Sequence, residues 1–218
     1  YDKNKVPEEY YLYVYNILFG ANDDRIQKLM YAQKRQRICE NLIKKGEDYS
    51  KSNSQYLKQL GNHLNKEYLY SVRDVYYYTP YDNFPLRSER LLKWIEVIDK
   101  FEGNNSNDYG ERLEDLSTLY QNWCVKLGKK IKDIEQDKWL AFNMYNEQYQ
   151  DWLKKQGKFG SRECNDAARQ VVFVTHFYRS DETAALQYFW NYVGQVKDKF
   201  GEESQEYVRA LKEVGLDI

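Results

Sequence analysis

The chain has 218 residues, a net charge of −1 and a mean hydropathy of −0.90, with 31% charged and 42% hydrophobic residues. A charge this close to zero excludes a field that would attract nucleic acid or an acidic membrane, and 22 Tyr and 5 Trp argue against disorder. No apolar run approaches the ~18 residues of a membrane-spanning helix. We therefore expect no membrane insertion, no nucleic-acid partner and a protein or peptide ligand.

The ends and the cysteines add two expectations. The chain begins at Tyr1 rather than Met, which favours a fragment of a larger protein. A cytoplasmic location is favoured, and a removed leader or further domains stay open. The three cysteines are odd in number and far apart, and each falls in a helical pattern, so we expect buried thiols rather than disulfides or metal ligands. They are Cys39, Cys124 and Cys164.

The first third of the chain predicts three helices and one loop. A helix opens at Pro7 and ends at Gly20, and a longer one runs from the cap at Asn22 to Lys45. A third begins near Ser52–Ser54 and continues to about Val75. Residues 76–85, YYYTPYDNFP, contain four Tyr and two Pro and predict an extended aromatic loop.

The remainder predicts further helices separated by glycine-containing breaks. They span residues 87–101, 108–127 with a break at Gly128, 131–156, a helix that ends near Tyr178, and another that carries Ala185, Phe189 and Tyr192 on one face. A last helix follows Gly201. The sequence therefore predicts an all-helical chain.

Four segments share the pattern large-x-x-large-small-x-x-large, and each follows a glycine loop, at Gly46, Gly103, Gly160 and Gly201 respectively. They are Leu57-Leu60-Gly61-Leu64, Leu113-Leu116-Ser117-Tyr120, Val171-Val174-Thr175-Tyr178 and Leu211-Val214-Gly215-Ile218. The small residue would let the paired helix approach closely. Recurrence of this kind indicates a helical repeat.

The pattern resembles the first helix of the tetratricopeptide repeat, and Ala185 and Phe189 resemble that family's second helix. Residues 200–207 are similar to the lead-in of the longer repeats of kinesin light chains. The resemblance implies an α-α superhelix, or solenoid, of about four antiparallel helix hairpins, with residues 1–218 as one domain. It also implies a non-enzymatic scaffold that binds a peptide or protein along a concave groove, without a cofactor.

The resemblance also indicates which residues face that groove. They are Gln55, Lys58, Asn62, Asn65 and Lys66, then Glu111, Glu114, Thr118, Gln121 and Asn122, then Arg169, Val172, His176, Arg179 and Ser180. Our main candidates are Lys58, Asn62, Asn65, Arg169, His176 and Arg179. Lys58 and Asn62 resemble part of a clamp for a peptide carboxylate, although Asp115 stands where that clamp has Asn.

An alternative function uses the aromatic loop. Tyr76, Tyr77, Tyr78 and Tyr81 would form an exposed platform for a glycan or small ligand, as in bacterial outer-membrane glycan-binding proteins of similar helical architecture. Catalysis is not expected, because the sequence carries none of the common catalytic or metal-binding motifs. The only histidines are His63 and His176, and Cys164 lies three helical turns from His176.

Overall fold

The computed structural model describes residues 24–45, 49–128 and 136–215, and over these residues it is helical with no strand. The α-helices are α1 (Asp24–Lys45), α2 (Gln55–Tyr78), α3 (Phe84–Glu102), α4 (Asn107–Leu127), α5 (Gln136–Lys155), α6 (Arg162–Phe177), α7 (Glu182–Phe200) and α8 (Gln205–Val214), with a 3-10 helix at Tyr49–Lys51. The predicted helix from Pro7 to Gly20 lies outside the described residues, as do Gly46, the start of the predicted 131–156 helix and Ile218.

The chain divides into two compact units. The first spans Tyr1–Phe101 and the second spans Glu102–Ile218. Helices α1, α2 and nearly all of α3 belong to the first unit, and α4 to α8 belong to the second. The single domain over residues 1–218 therefore stays a prediction.

In the first unit, consecutive helices pack in antiparallel pairs. Across α1 and α2, Arg25 Nη2 donates to the Tyr77 carbonyl (3.0 Å), Arg35 Nη2 to Asp74 Oδ2 (2.7 Å), and Tyr68 OH to Glu40 Oε1 (2.7 Å). Across α2 and α3, the Trp94 ring lies 5.7 Å from Tyr76 and the Phe101 ring 6.3 Å from Tyr68. In each pair, the numbers of the contacting residues increase along one helix as they decrease along the other, so the two helices are antiparallel.

The second unit repeats this arrangement. Across α4 and α5, Trp152 packs on Gly110, Tyr149 OH donates to Glu114 Oε2 (3.0 Å), and Asn146 Nδ2 donates to Ser117 Oγ (3.2 Å). Across α6 and α7, Tyr192 OH donates to Asn165 Oδ1, and Tyr188 packs against the apolar cluster that contains Val171. The predicted all-α architecture of consecutive helix hairpins is confirmed, and all three cysteines are buried and reduced.

Two turns in the second unit have the same local structure. Gly103 and Gly201 both have positive φ, and the amide of the serine three residues later donates to each glycine carbonyl (3.2 and 3.3 Å). The side chains of Ser106 and Ser204 then accept from the backbone N–H groups of Tyr109 and Tyr207. A side-chain acceptor at this position satisfies one of the free donors at a helix start. Both predicted glycine loops are thus helix-initiating turns.

The small residue of the repeat pattern does not have one role throughout. Ser117 contacts the paired helix α5, as expected. At Gly61, a Cβ atom would instead collide with the backbone of Tyr49 and Ser50 in the 3-10 helix. Close approach is required at Gly61, but the neighbour is the preceding segment rather than the paired helix.

The predicted aromatic loop over residues 76–85 is wrong at its start. Helix α2 continues through Tyr78, so only Tyr81 of the four tyrosines lies in the connection between α2 and α3. The helix ends because Thr79 precedes Pro80, and a residue before proline disfavours the helical conformation; Thr79 is extended, with ψ of 136°. Pro85 lies in the first turn of α3, where proline is tolerated.

Gly110→Ala should destabilise the second unit by about 1–3 kcal/mol, because its Cβ would overlap the Trp152 ring. That ring cannot easily move, since its Nε1 donates to the Asn104 carbonyl (3.1 Å). Chemical denaturation measures the free energy of unfolding. Gly194→Ala on α7 is the matched control, because nothing lies within 4 Å of its Cβ position. It should stabilise the protein by up to about 1 kcal/mol, and equal effects of the two variants would contradict the packing of α5 on α4.

Candidate functional site

The six main groove candidates fall three to each unit. Lys58 and Asn62 are exposed on α2, and Asn65 is half-buried. Arg169 is exposed on α6, His176 is half-buried near its end, and Arg179 is exposed just beyond it. Val172 was also expected to face the groove, but it is only 3% exposed because it lies on the core face of α6. That assignment was wrong.

Arg169 lines a cleft of about 590 Å³ between α6 and α8. The cleft is lined by Arg162, Asp166, Arg169, Phe173, Phe177, Lys212, Glu213 and Gly215. The Phe173 and Phe177 rings lie one turn apart with their centroids 4.7 Å from each other, and Phe177 is 51% exposed. An aromatic pair with one exposed ring, Phe177, and one half-buried ring, Phe173, beside basic side chains is the strongest candidate for a binding surface in this unit.

The charges in this α6–α8 cleft do not balance locally. Glu213 is already paired, because it accepts from Asn165 Nδ2 (2.8 Å) and lies 3.6 Å from Arg162 Nε. Among the described residues, no ion pair or hydrogen bond engages the side chain of Arg169 or Lys212. Among the residues that the structure describes, Asp166 is the only other acid that lines the cleft. Arg169 and Lys212, with no partner in the described part of the chain, lie beside two phenylalanines and give the cleft a positive, partly apolar character.

The buried side chain of Asn165 holds the walls of this cleft in place. It is completely inaccessible to solvent, its Nδ2 donates to Glu213 on α8, and its Oδ1 accepts from Tyr192 OH on α7 (2.7 Å). Burial, with smaller contributions from Cys164 and Glu213, raises the pKa of the Tyr192 hydroxyl well above its ordinary value. One carboxamide therefore joins three helices.

Asn165 was not among the residues predicted from the sequence. A signal was present, because Asn165 precedes Ala168 and Val172 at spacings of three and seven, which places it on the core face of a helix. A polar residue at such a position needs a partner when it is buried. Its partners lie 27 and 48 residues away, so the sequence pattern did not identify them.

The other two candidates of this unit do not line the α6–α8 cleft. The Arg179 guanidinium lies over the Trp139 ring of α5, 4.9 Å from its centroid, and lines a separate cleft with Cys124 and Tyr178. The His176 ring packs edge-on against Phe177 at 4.6 Å, and its Nδ1 is buried without a partner in the described part of the chain. Arg169 is thus the only one of the three that lines the α6–α8 cleft.

The four tyrosines of the predicted loop have different surroundings. Tyr76 is buried, with its ring 5.7 Å from Trp94, and Tyr78 packs against the cluster of Ile26, Leu29, Ala32 and Val75. Tyr77 and Tyr81 remain at the surface, 47% and 65% exposed. The sequence therefore grouped two core residues with two surface residues.

Arginines surround the exposed Tyr81. The guanidinium groups of Arg25 and Arg87 lie over its ring, 4.2 and 4.6 Å from the centroid. Both arginines also donate to the Thr79 carbonyl, at 3.4 and 3.0 Å, and so bind the carboxyl end of α2. Cations are favoured at this end of a helix. The arrangement stabilises the turn and occupies space over the Tyr81 ring.

No family model, curated protein or solved structure matches the chain. The tetratricopeptide resemblance therefore stays a prediction. None of the described helices is long and apolar enough to cross a bilayer. In the described segments, no group of three or more His, Cys, Asp or Glu side chains could hold a metal ion.

The raised pKa of Tyr192 predicts a loss of stability at alkaline pH. Above the unfolded-state value of about 10, the unfolded tyrosine ionises while the folded one keeps its proton, so the free energy of unfolding falls by up to ~1.4 kcal/mol per pH unit. Tyr192→Phe removes one ionising group, so it should reduce this slope by up to ~1.4 kcal/mol per pH unit. Urea denaturation from about pH 9 upward measures it. Tyr149→Phe is a second variant of the same kind, because burial beside Glu114 also raises the pKa of Tyr149. A wild-type slope in both variants would contradict the buried networks.

Proposed function

We propose that this chain is a non-enzymatic interaction domain that binds a short acidic segment of a partner protein in the α6–α8 cleft. The observation that carries the proposal is that the Phe173–Phe177 pair lines one cleft with Arg169 and Lys212, whose side chains have no partner among the described residues. The partner segment would place an aromatic or aliphatic side chain on the phenylalanines and a carboxylate between the cations.

The energetics of the cleft favour this ligand. Covering apolar surface contributes roughly 25 cal/mol per Å², and the exposed half of Phe177 is apolar surface of this kind. A carboxylate at Arg169 would gain a charge-assisted hydrogen bond, and the planar guanidinium allows two parallel bonds. Electrostatic complementarity contributes specificity and association rate more than affinity. A modest affinity with a strict requirement for an acid is therefore expected.

The repeat pattern supports the same surface. Both α6 and α8 are first helices of the predicted hairpins, and in tetratricopeptide proteins the first helices line the ligand groove. Arg169 is also one of the three groove residues that the resemblance identified in α6, and the one that lines the cleft. The proposal therefore combines a family expectation with an aromatic pair that the sequence analysis did not identify.

The glycan alternative depends on Tyr77 and Tyr81, and their exposure favours it. Stacking of a sugar requires an open ring face, however. Arg25 and Arg87 lie over the Tyr81 ring, and the Trp94 ring packs on Tyr77 at 5.6 Å. We therefore prefer the peptide ligand. If the double variant Tyr77→Ala, Tyr81→Ala loses ligand binding and Arg169→Glu retains it, the result would favour the glycan over the peptide ligand.

Selection of phage-displayed random peptides on the wild-type protein tests the proposal. Enriched peptides should carry an acid close to an aromatic or aliphatic residue. Fluorescence anisotropy of a labelled selected peptide should show binding at least tenfold weaker for Arg169→Glu and for Phe177→Ala. Both residues are exposed, so the fold should survive.

Arg209→Glu is the matched control, because Arg209 is exposed on α8 but does not line the cleft. It should bind like the wild type. Lys58→Glu tests the clamp residue of the first unit in the same assay. Equal loss in Arg169→Glu and Arg209→Glu would indicate bulk electrostatics rather than a site, and loss only in Lys58→Glu would transfer the function to α2.

A further inference from the structure

A second cleft, of about 280 Å³, lies in the same unit between α5 and α7, with α6 beneath it. Its floor is Ala168 and Val171, and nearly all of its remaining wall residues are polar. The walls are formed by Asn143, Glu147, Gln150, Asp151 and Lys154 of α5 and by Tyr188, Asn191, Tyr192 and Gln195 of α7. It shares no lining residue with the α6–α8 cleft.

Hydrogen bonds connect the two walls at both ends of this α5–α7 cleft. Asn143 Nδ2 donates to Tyr188 OH (2.9 Å) at one end, and Lys154 Nζ donates to Gln195 Oε1 (3.3 Å) at the other. Residue numbers increase along both helices from the first hydrogen bond to the second, so α5 and α7 run parallel to each other. The two bonds define a slot of fixed length between them.

The Asn143 end of the slot has one unsatisfied acceptor and one carboxylate without a described cation partner. Asn143 is 8% exposed, and its Oδ1 is buried with no hydrogen-bond partner among the described groups. Glu147 lies one helical turn further along, with an exposed carboxylate that no described cation pairs. A buried acceptor without a partner is unfavourable. A ligand that supplies N–H donors would satisfy it.

The charge distribution distinguishes the two ends. Lys154 lies 3.4 Å from Asp151 and also bonds Gln195, so the far end is locally neutral. Glu147 keeps the remaining charge of the slot, which is negative. A cation would therefore be attracted to the end formed by Asn143 and Glu147 and kept from the other end by Lys154.

We infer that the α5–α7 cleft binds a guanidinium group. Its planar array of N–H donors can bond the Glu147 carboxylate with two parallel hydrogen bonds and supply a further donor to Asn143 Oδ1. The group could belong to an arginine side chain of a protein or to a small free guanidine. This site is independent of the proposed peptide cleft and extends the function of the second unit.

Isothermal titration calorimetry with arginine amide tests the inference. The wild type should bind it saturably, and citrulline amide, which replaces the guanidinium by a neutral urea of the same shape, should bind at least tenfold more weakly. Glu147→Gln should weaken arginine amide binding at least tenfold. Asp137→Asn is the matched control, because Asp137 is exposed on the same helix outside the cleft, and it should bind normally.

A short peptide with one central arginine distinguishes the two sources. Tighter binding of this peptide than of arginine amide would support a protein ligand, and equal binding would support a small guanidine. Citrulline amide binding as tightly as arginine amide would overturn the inference, as would wild-type affinity in Glu147→Gln. Failure of arginine amide to bind would also overturn it. None of these results depends on the α6–α8 cleft, where Arg169→Glu reports separately.

Discussion

The geometry of the second unit depends on one buried carboxamide. Asn165 has no solvent exposure, and its two ends bond Tyr192 on α7 and Glu213 on α8. Helix α8 has only ten residues, too few to be stable by itself in water, so it requires tertiary contacts of this kind. Glu213 accepts from Asn165 and lies beside Arg162, so among the described residues it pairs with neither Arg169 nor Lys212. A packing interaction thereby sets the electrostatic character of the cleft beside it.

Buried amides recur in the two central helices of this unit. On α5, Asn143 forms a hydrogen bond to α7 and Asn146 forms one to α4, and on α6 Asn165 forms hydrogen bonds to both α7 and α8. A shift of any of these helices by one turn would preserve much of the apolar contact but would leave the amides without partners. Apolar packing alone tolerates several alignments of two helices, whereas a hydrogen bond at a fixed position tolerates one. We infer that these residues determine the register of the hairpins more than their total stability.

The sequence predicted the helices well because their signals are local. Amphipathic spacing and glycine turns placed α2, α3 and α4, and the ends of α5 and α6, within a few residues of their observed bounds. The end of α2 was predicted near Val75 rather than at Tyr78, because two prolines and four tyrosines suggested a loop. Proline, however, constrains chiefly the single residue before it. Of the residues that line the candidate cleft, Arg169 was predicted from the sequence through the family resemblance. Phe177 and Lys212 were not found, because their proximity depends on the packing of helices that are separated in the chain by the whole of α7.

The two matching turns at Gly103 and Gly201 have a consequence for the history of the chain. Each begins a helix with the same glycine conformation, the same backbone hydrogen bond and the same serine cap. A segment cut at one turn and rejoined at the other would meet a backbone of the same local geometry. Gene duplication between these points would therefore add helices without creating a new kind of junction. The turns are natural boundaries at which such a chain can lengthen or shorten during evolution, and at which a designer could do the same.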